Sequence, residues 1–271
     1  MIKKTQNIFS LDLPELEVFK TLRRPLEHNE KGIFVAEGEK VVLRLLESDL
    51  KTISILLTER WFELYKSVIE KKDEAIDIFI GEEKLLQTIV GHKMHQSIIA
   101  LAKIPAPTSI DEIIKLKSKP ILFVAIDEIM NAENLGVIIR NCVAFGVDGL
   151  IVGETSADPY LRRAVRNSMG NIFKLPIIYC NNLISTLNNL KNKNFNIFVA
   201  HSRKTSQSIF DSDFKNDCCI IFGSEGSGPR KIIIDSIPMQ LIIPMSNEVD
   251  SLNVANASAV FLYEVSRQRK N

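Results

Sequence analysis

Apolar residues follow two rhythms that alternate along this chain. Spacings of three and four mark helices: Leu16, Phe19 and Leu22 in "LPELEVFKTLRR", then Val41, Val42, Leu45 and Leu46 in "GEKVVLRLLESD". "WFELYKSVIEKK" and "EEKLLQTIV" read the same way. Between them, the short apolar runs "GIFVAEG", "TISILLTE", "AIDIFIG" and "SIIALAKI" predict strands. The alternation over residues 1–104 predicts a compact α/β unit. "PAPTSIDEIIKLKSKP" follows, with prolines at both ends of a short amphipathic segment, and reads as a linker over 105–119 that carries a short helix.

From residue 120 the pattern restarts. "ILFVAIDEI" is nearly continuous in apolar residues, as a strand buried on both faces must be. Further strands are predicted at "VDGLIVG", "LPIIYC", "FNIFVAHS", "DCCIIFG" and "QLIIPMS". Helices are predicted at "NAENLGVIIRNCVAFG", "DPYLRRAVRNSMGNIF", "NNLISTLNNLKNK", "RKIIIDSI" and the final stretch ending "AVFLYEVSRQ". This is the pattern of an open, largely parallel sheet with helices on both faces. The fold class is therefore α/β, with a smaller unit over 1–104 and a larger one over 120–271.

Composition narrows the function classes. Of 271 residues, 45% are hydrophobic, enough for two cores, and the net charge of +1 gives no global field toward nucleic acid. An RNA partner would have to be held by local patches. Cys142, Cys180, Cys218 and Cys219 show neither a CxxC pair nor zinc spacing, which points to a reducing, cytoplasmic setting. The first 20 residues lack the apolar run of a signal peptide, and no run of 18 apolar residues predicts a membrane span.

Ligands of open parallel sheets sit beyond the carboxyl ends of the strands, so four loops matter: "NAENLG", "HSRKTS", "GSEGSGP" and "SNEVDSLN". "GSEGSGP" spaces its glycines G-x-x-G-x-G, which is neither the dinucleotide fingerprint nor a P-loop. It lets a flat ligand approach the backbone; a plain tight turn explains it equally well. Asn134 and Arg140 in "NLGVIIRN" are 1.7 helical turns apart by spacing, roughly. They fit a helix-cap Asn and a surface Arg, or an Arg partly enclosed by Val137, Ile138, Ile139 and Val143 that meets an anion. Arg162, Arg163 and Arg166 present either a solvated face or a phosphate-binding edge. His92 and His95 have the spacing of two metal ligands but no third, so no metal is expected. Ser251, Asn253 and Asn256 put hydrogen-bonding groups at the start of an otherwise apolar helix.

Taken together and in order, "NAENLGVIIRNCVAFGVDGLIV", "IIFGSEGSGP" and "LIIPMSNEVDSLNVANASAVFLYE" resemble the three motifs of the SpoU/TrmH family of RNA 2'-O-ribose methyltransferases, within the SPOUT superfamily. The N-terminal third, with "FVAEGEKVVLRLL" and "HQSIIALAK", is similar to the family's ribosomal-protein-like RNA substrate-binding domain. The resemblance implies a C-terminal domain knotted as a trefoil and a homodimer with sites completed across its interface. It implies S-adenosylmethionine bound by Ala200, His201, Gly223, Glu225, Gly226, Ile243, Met245 and Leu252. The catalytic positions transfer to Asn134, Arg140, Glu225, Ser251 and Asn253, and the expected RNA contacts are Arg140, Arg162, Arg163 and Arg166. A guanidinium is effectively never deprotonated in proteins, so Arg140 is expected to pair with RNA phosphate and stabilise a developing alkoxide rather than act as a base. One departure is Ala255, where the family has Ser. The substrate expected is ribosomal RNA. A tRNA or antibiotic-resistance methyltransferase of the same family, a catalytically silent RNA-binding protein, and a nucleotide-dependent oxidoreductase lacking its fingerprint are the alternatives.

Overall fold

The computed structural model describes residues 2–22, 25–90, 98–116, 120–201, 206–246 and 251–270. Contacts gather the chain into two units, Met1–Pro105 with Tyr160–Phe173, and Ala106–Pro159 with Lys174–Asn271.

The first unit holds β1 (Ile2–Ile8), β2 (Ile33–Glu37), β3 (Thr52–Leu57), β4 (Ile76–Gly81) and β5 (Ile98–Lys103) in the order β1-β4-β3-β5-β2. β1, β4 and β3 run parallel, while β5 is antiparallel to both β3 and β2. Its helices are α1 (Glu17–Lys20), α2 (Pro25–Glu30), α3 (Glu39–Leu46), α4 (Glu59–Glu70) and α5 (Glu83–Val90). On α3 the four apolar positions singled out by spacing are all buried. β1 was not anticipated, because "IKKTQNI" alternates half-exposed and exposed positions along a sheet edge and shows no apolar run. The helix expected over "LPELEVFKTLRR" reduces to a 3-10 turn, Pro14–Leu16, and the single turn α1.

The second unit holds α6 (Ile110–Leu116), β6 (Leu122–Ile126), α7 (Ala132–Ala144), β7 (Gly149–Val152), β8 (Ile177–Tyr179), α9 (Leu183–Asn192) and β9 (Asn196–Ala200). It continues with β10 (Gln207–Ser208), β11 (Cys218–Phe222), α10 (Lys231–Ser236), β12 (Gln240–Ile242) and α11 (Val254–Lys270). The helix between β7 and β8, α8 (Arg162–Asn167), belongs to the first unit. The seven strands lie in the order β10-β12-β9-β11-β6-β7-β8, and every pairing is parallel. β6, β7, β9 and β11 are buried along nearly their whole length, which is why their sequences read as unbroken apolar runs. β6 to β8 are laid down toward one edge and β9 starts toward the other. β11 then enters between β9 and β6, where the strand order reverses.

Two segments differ from expectation. Residues 106–116 are not a free connector, since Ile110 and Ile113 of α6 are buried in the second unit's core with Phe123, Ile151 and Ile178. The helix expected over 158–173 is broken: α8 ends at Asn167, Met169 and Gly170 take left-handed φ of 55° and 76°, and a 3-10 turn follows at Asn171–Lys174. The break turns Phe173 onto Phe34 of β2, with ring centroids 5.6 Å apart, so the segment packs within the first unit.

The four cysteines are free; Cys218 and Cys219 are consecutive in β11, and burial pushes the Cys218 thiol up to about 12, far from a working nucleophile. Among the described residues no helix is long and apolar enough to cross a membrane.

At the amino ends of β6 and β11, one side chain gathers four backbone carbonyls. Arg269 donates to the carbonyls of Phe214 (2.9 Å), Pro120 (3.1 Å), Ile121 (3.2 Å) and Asn216 (2.7 Å). Truncation to Arg269→Ala takes this donor from the Phe214, Pro120 and Asn216 carbonyls, while Ile121 keeps the Cys218 N–H at 3.0 Å. It is expected to lower unfolding free energy by about 2–4 kcal/mol, read by urea denaturation.

Candidate functional site

Three strands deliver their carboxyl ends to one place. β9 ends at Ala200 and continues into His201; β11 ends at Phe222 and turns into Gly223–Pro229; β12 ends at Ile242 and continues through Ile243 to Met245. With Ser251, Leu252 and the first turns of α11 they enclose a cavity of about 320 Å³. Ala200, His201, Gly223, Glu225, Gly226, Ile243, Met245 and Leu252, the eight residues expected around a cofactor, all line it, as does Ser251.

The glycine loop is shaped by hydrogen bonds within itself. The Ser224 N–H donates to the Gly228 carbonyl at 3.1 Å, the Gly228 N–H returns a bond to the Ser224 carbonyl at 2.9 Å, and the Ser224 and Ser227 hydroxyls lie 2.8 Å apart. Two glycines are sterically required. A Cβ on Gly223 would lie 1.9 Å from the Pro229 nitrogen, and Gly228 has a φ of +71° with His201 in the way of any side chain. Gly226 has open space around it. The G-x-x-G-x-G spacing is therefore a tight turn and a cavity wall at once.

At the rim three polar side chains converge. Asn134 Nδ2 donates to Glu225 Oε1 at 2.7 Å, Asn253 Nδ2 donates to the same oxygen, and Asn253 Nδ2 also reaches Asn134 Oδ1 at 3.1 Å. Each asparagine is fixed by a helix start. Asn131 caps α7, its Oδ1 accepting from the N–H groups of Glu133 (2.8 Å) and Asn134 (3.1 Å). Asn253 caps α11, its Oδ1 accepting from the Ala255 N–H at 2.9 Å and the Asn256 N–H at 3.4 Å. α11 thus begins at Val254, and Ser251 lies before it. Ala255 is buried, and its carbonyl accepts from Asn141 Nδ2 of α7 (2.9 Å) and from Ser258 Oγ (2.7 Å), bonds that do not explain Ala in place of Ser.

The structure does not bring every expected residue together. Arg140 is exposed and does not line the cavity, so the enclosure inferred from its apolar neighbours is corrected. Leu135, Ile138, Ile139 and Cys142 take the buried stripe of α7, and position 140 falls on the solvent stripe with Glu133 and Ala144. Two of the three arginines of the expected basic edge share an acidic partner. In the first unit, Arg162 and Arg166 both donate to Glu37, at 2.6 and 3.0 Å; the Arg162 side chain keeps 17% exposure and that of Arg166 keeps 52%. Arg163 remains exposed. His92 and His95 lie outside the described residues.

The spacing did not reveal a buried ionic network under the glycine loop. Asp127, wholly buried just past β6, accepts from the Arg230 backbone N–H and from Arg230 Nε, both at 2.8 Å; Arg230 also pairs with Glu154 at 2.8 Å. Its only sequence signal was an acidic residue closing an apolar run and a basic one closing the glycine loop, 103 positions apart. Burial pushes the Glu154 carboxyl up, but donors from the backbone and Arg230 outweigh it, and the net direction is down. A depressed folded value stabilises the fold above the unfolded carboxylate pKa and loses that contribution as pH falls through the folded value. Unfolding free energy of the wild type should therefore drop more steeply on acidification below about pH 4.5 than that of Glu154→Gln, in urea titrations at stepped pH.

The second unit is a parallel α/β fold with a cavity at the carboxyl edge of its sheet, beside a carboxylate held by two amides. The profile of the SpoU rRNA Methylase family matches residues 121–263, more than half of the chain, and the protein belongs to that family. It is 30% identical over 205 residues to the 23S rRNA (guanosine-2'-O-)-methyltransferase RlmB of Shewanella oneidensis, covering 74% of this chain and 82% of that one. It is 28% identical over 275 residues to an uncharacterized tRNA/rRNA methyltransferase of Mycobacterium bovis, covering 97% and 92%. In fold it matches the AdoMet-bound rRNA methyltransferase of Sinorhizobium meliloti with a TM-score of 0.82 at 23% identity, over 97% of this chain and 98% of that one.

Proposed function

We propose that the protein methylates a ribose 2'-hydroxyl of RNA, with ribosomal RNA as the substrate, and uses S-adenosylmethionine held in the cavity. The observation that carries this reading is that Glu225 belongs both to the cavity wall and to the Asn134–Glu225–Asn253 cluster. The residues fit the group: bare backbone at Gly223 and Gly226 admits a flat ring, Phe222, Leu241 and Ile243 supply apolar walls, and about 320 Å³ falls within the range of small-ligand sites. When bound, S-adenosylmethionine supplies an electrophilic methyl carbon on a sulfonium.

The chain's own residues orient the attack. Glu225 fixes the two amides, and helix caps fix each asparagine, so the rim is preorganised before RNA arrives. The exposed Ser251 hydroxyl at the cavity would hold the 2'-oxygen in line. Arg140 would pair with the adjacent phosphate through its planar fork. Its exposure on α7, away from its own cavity, supports a homodimer in which a second copy supplies that arginine. The SpoU family match over residues 121–263 supports a trefoil knot in the second unit; the first unit is read as the RNA substrate-binding domain, and the setting as cytoplasmic.

Titration of the protein with S-adenosylmethionine and, separately, with NAD tests the cofactor. Binding of the first is expected; binding of NAD alone would move the reading to an oxidoreductase. With RNA present, Arg140→Lys keeps the charge and loses the fork, so methyl transfer should slow about tenfold or more with cofactor affinity unchanged. A wild-type rate would remove the bidentate role. Arg163→Glu should weaken RNA binding and reduce the salt slope by about 1.

A further inference from the structure

We infer that Asp127 is a positioning residue for the cavity loop, holding one of its feet through its backbone N–H and the other through its carboxylate on Arg230. This rests on the methyltransferase reading for the choice of S-adenosylmethionine as the probe. The loop Gly223–Pro229 leaves the sheet after Phe222 and re-enters regular structure at Arg230. Asp127 holds both flanking residues. Its backbone N–H donates to the Phe222 carbonyl at 2.9 Å, and its carboxylate accepts from the Arg230 backbone N–H at 2.8 Å and from Arg230 Nε at 2.8 Å. The carboxylate is wholly buried, and burying a charge is costly unless it is paired and hydrogen-bonded. Here its bonds are supplied by the backbone and the side chain of the residue at one foot, with the Thr155 hydroxyl at 3.3 Å as the further donor.

The consequence is geometric. With the feet drawn together, Gly223 lies against the Pro229 backbone with no room for a side chain, and the tip carries Glu225 to Asn134 and Asn253. Neither Asp127 nor Arg230 lines the cavity. Any effect of changing them on the cofactor is therefore transmitted through the loop.

Asp127→Asn removes the charge from the clamp; Arg230→Lys is milder, keeping the charge and the backbone N–H while losing Nε. Arg269→Ala is the matched control, since it loosens the opposite, amino ends of β6 and β11. Each is titrated with S-adenosylmethionine at a temperature where it is folded, and its melting temperature is recorded. Affinity should fall about tenfold or more in Asp127→Asn and roughly threefold in Arg230→Lys. Arg269→Ala should lower the melting temperature and leave affinity intact. In turnover, KM for the cofactor should rise while KM for RNA stays put. If Asp127→Asn does not fold, Arg230→Lys decides. Wild-type affinity in both variants, or an affinity loss in Arg269→Ala matching its loss of stability, overturns the clamp. Failure of the wild type to bind overturns the methyltransferase reading, and the clamp with it.

Discussion

Gly223→Ala is expected to abolish measurable S-adenosylmethionine binding. An added Cβ would sit 1.9 Å from the Pro229 nitrogen and equally against the Gly228 backbone, atoms that cannot rotate away as a side chain could. The loop must open, and its opening shifts Gly223, Glu225 and Gly226 together, all of them in the cavity wall. Overpacking of this kind costs about 1–3 kcal/mol in stability. The effect on binding should be larger, a loss of about a hundredfold or more, because the wall itself moves. Gly226→Ala, with nothing near its Cβ, should melt with the wild type. Calorimetric titration and thermal melts of the two alanine variants side by side separate a local steric effect from a general one. Equal cofactor affinity in Gly223→Ala and the wild type would show that the loop yields and that the close packing at Gly223 has no part in the site.

Glu225→Ala should cut the methyl-transfer rate about a hundredfold at saturating cofactor and RNA. Asn134 Nδ2 and Asn253 Nδ2 share Glu225 Oε1, so one substitution takes that acceptor from both amides and leaves the Asn253 Nδ2 to Asn134 Oδ1 contact as the bond between them. The helix caps survive it, since Asn253 still accepts from Ala255 and Asn131 from Glu133, and stability should change by about 1 kcal/mol or less. Asn253→Ala, by contrast, removes both the rim amide and the α11 cap, and should lose about 1 kcal/mol of stability along with the rate. Single-turnover rates together with urea midpoints distinguish the two. A Glu225→Ala enzyme at wild-type rate would mean that the cluster orients nothing in the reaction.

What could be read from the sequence follows burial. β6, β7, β9 and β11 are enclosed on both faces, so their apolar runs had one reading, and parallel order followed from the intervening helices. β1 was invisible because an edge strand shares its polar faces with solvent. The break after α8 was equally hidden: Met169 adopts a left-handed φ that its residue type does not announce. The cavity residues follow from family resemblance, whereas spacing alone gives "GSEGSGP" two equal readings, a plain turn and a wall for a flat ligand. For Arg140 the structure takes the surface reading over the enclosed one, because its neighbours in sequence are apolar while its own angular position on α7 faces outward. Asp127 and Arg230 meet only after folding, so no spacing rule could pair them. The polar residues ahead of "AVFLYEV" resolve into an N-cap and rim amide at Asn253 and a cavity hydroxyl at Ser251.

The most direct test of RNA ribose methylation is a map of 2'-O-methylated nucleotides in total RNA from cells with and without this gene. Deletion is expected to remove resistance to alkaline cleavage at a defined ribosomal position, and restoring the wild-type gene but not the Glu225→Ala form should bring it back. Identical maps in both strains, or a lost methyl group that proves to be on a base, would contradict it.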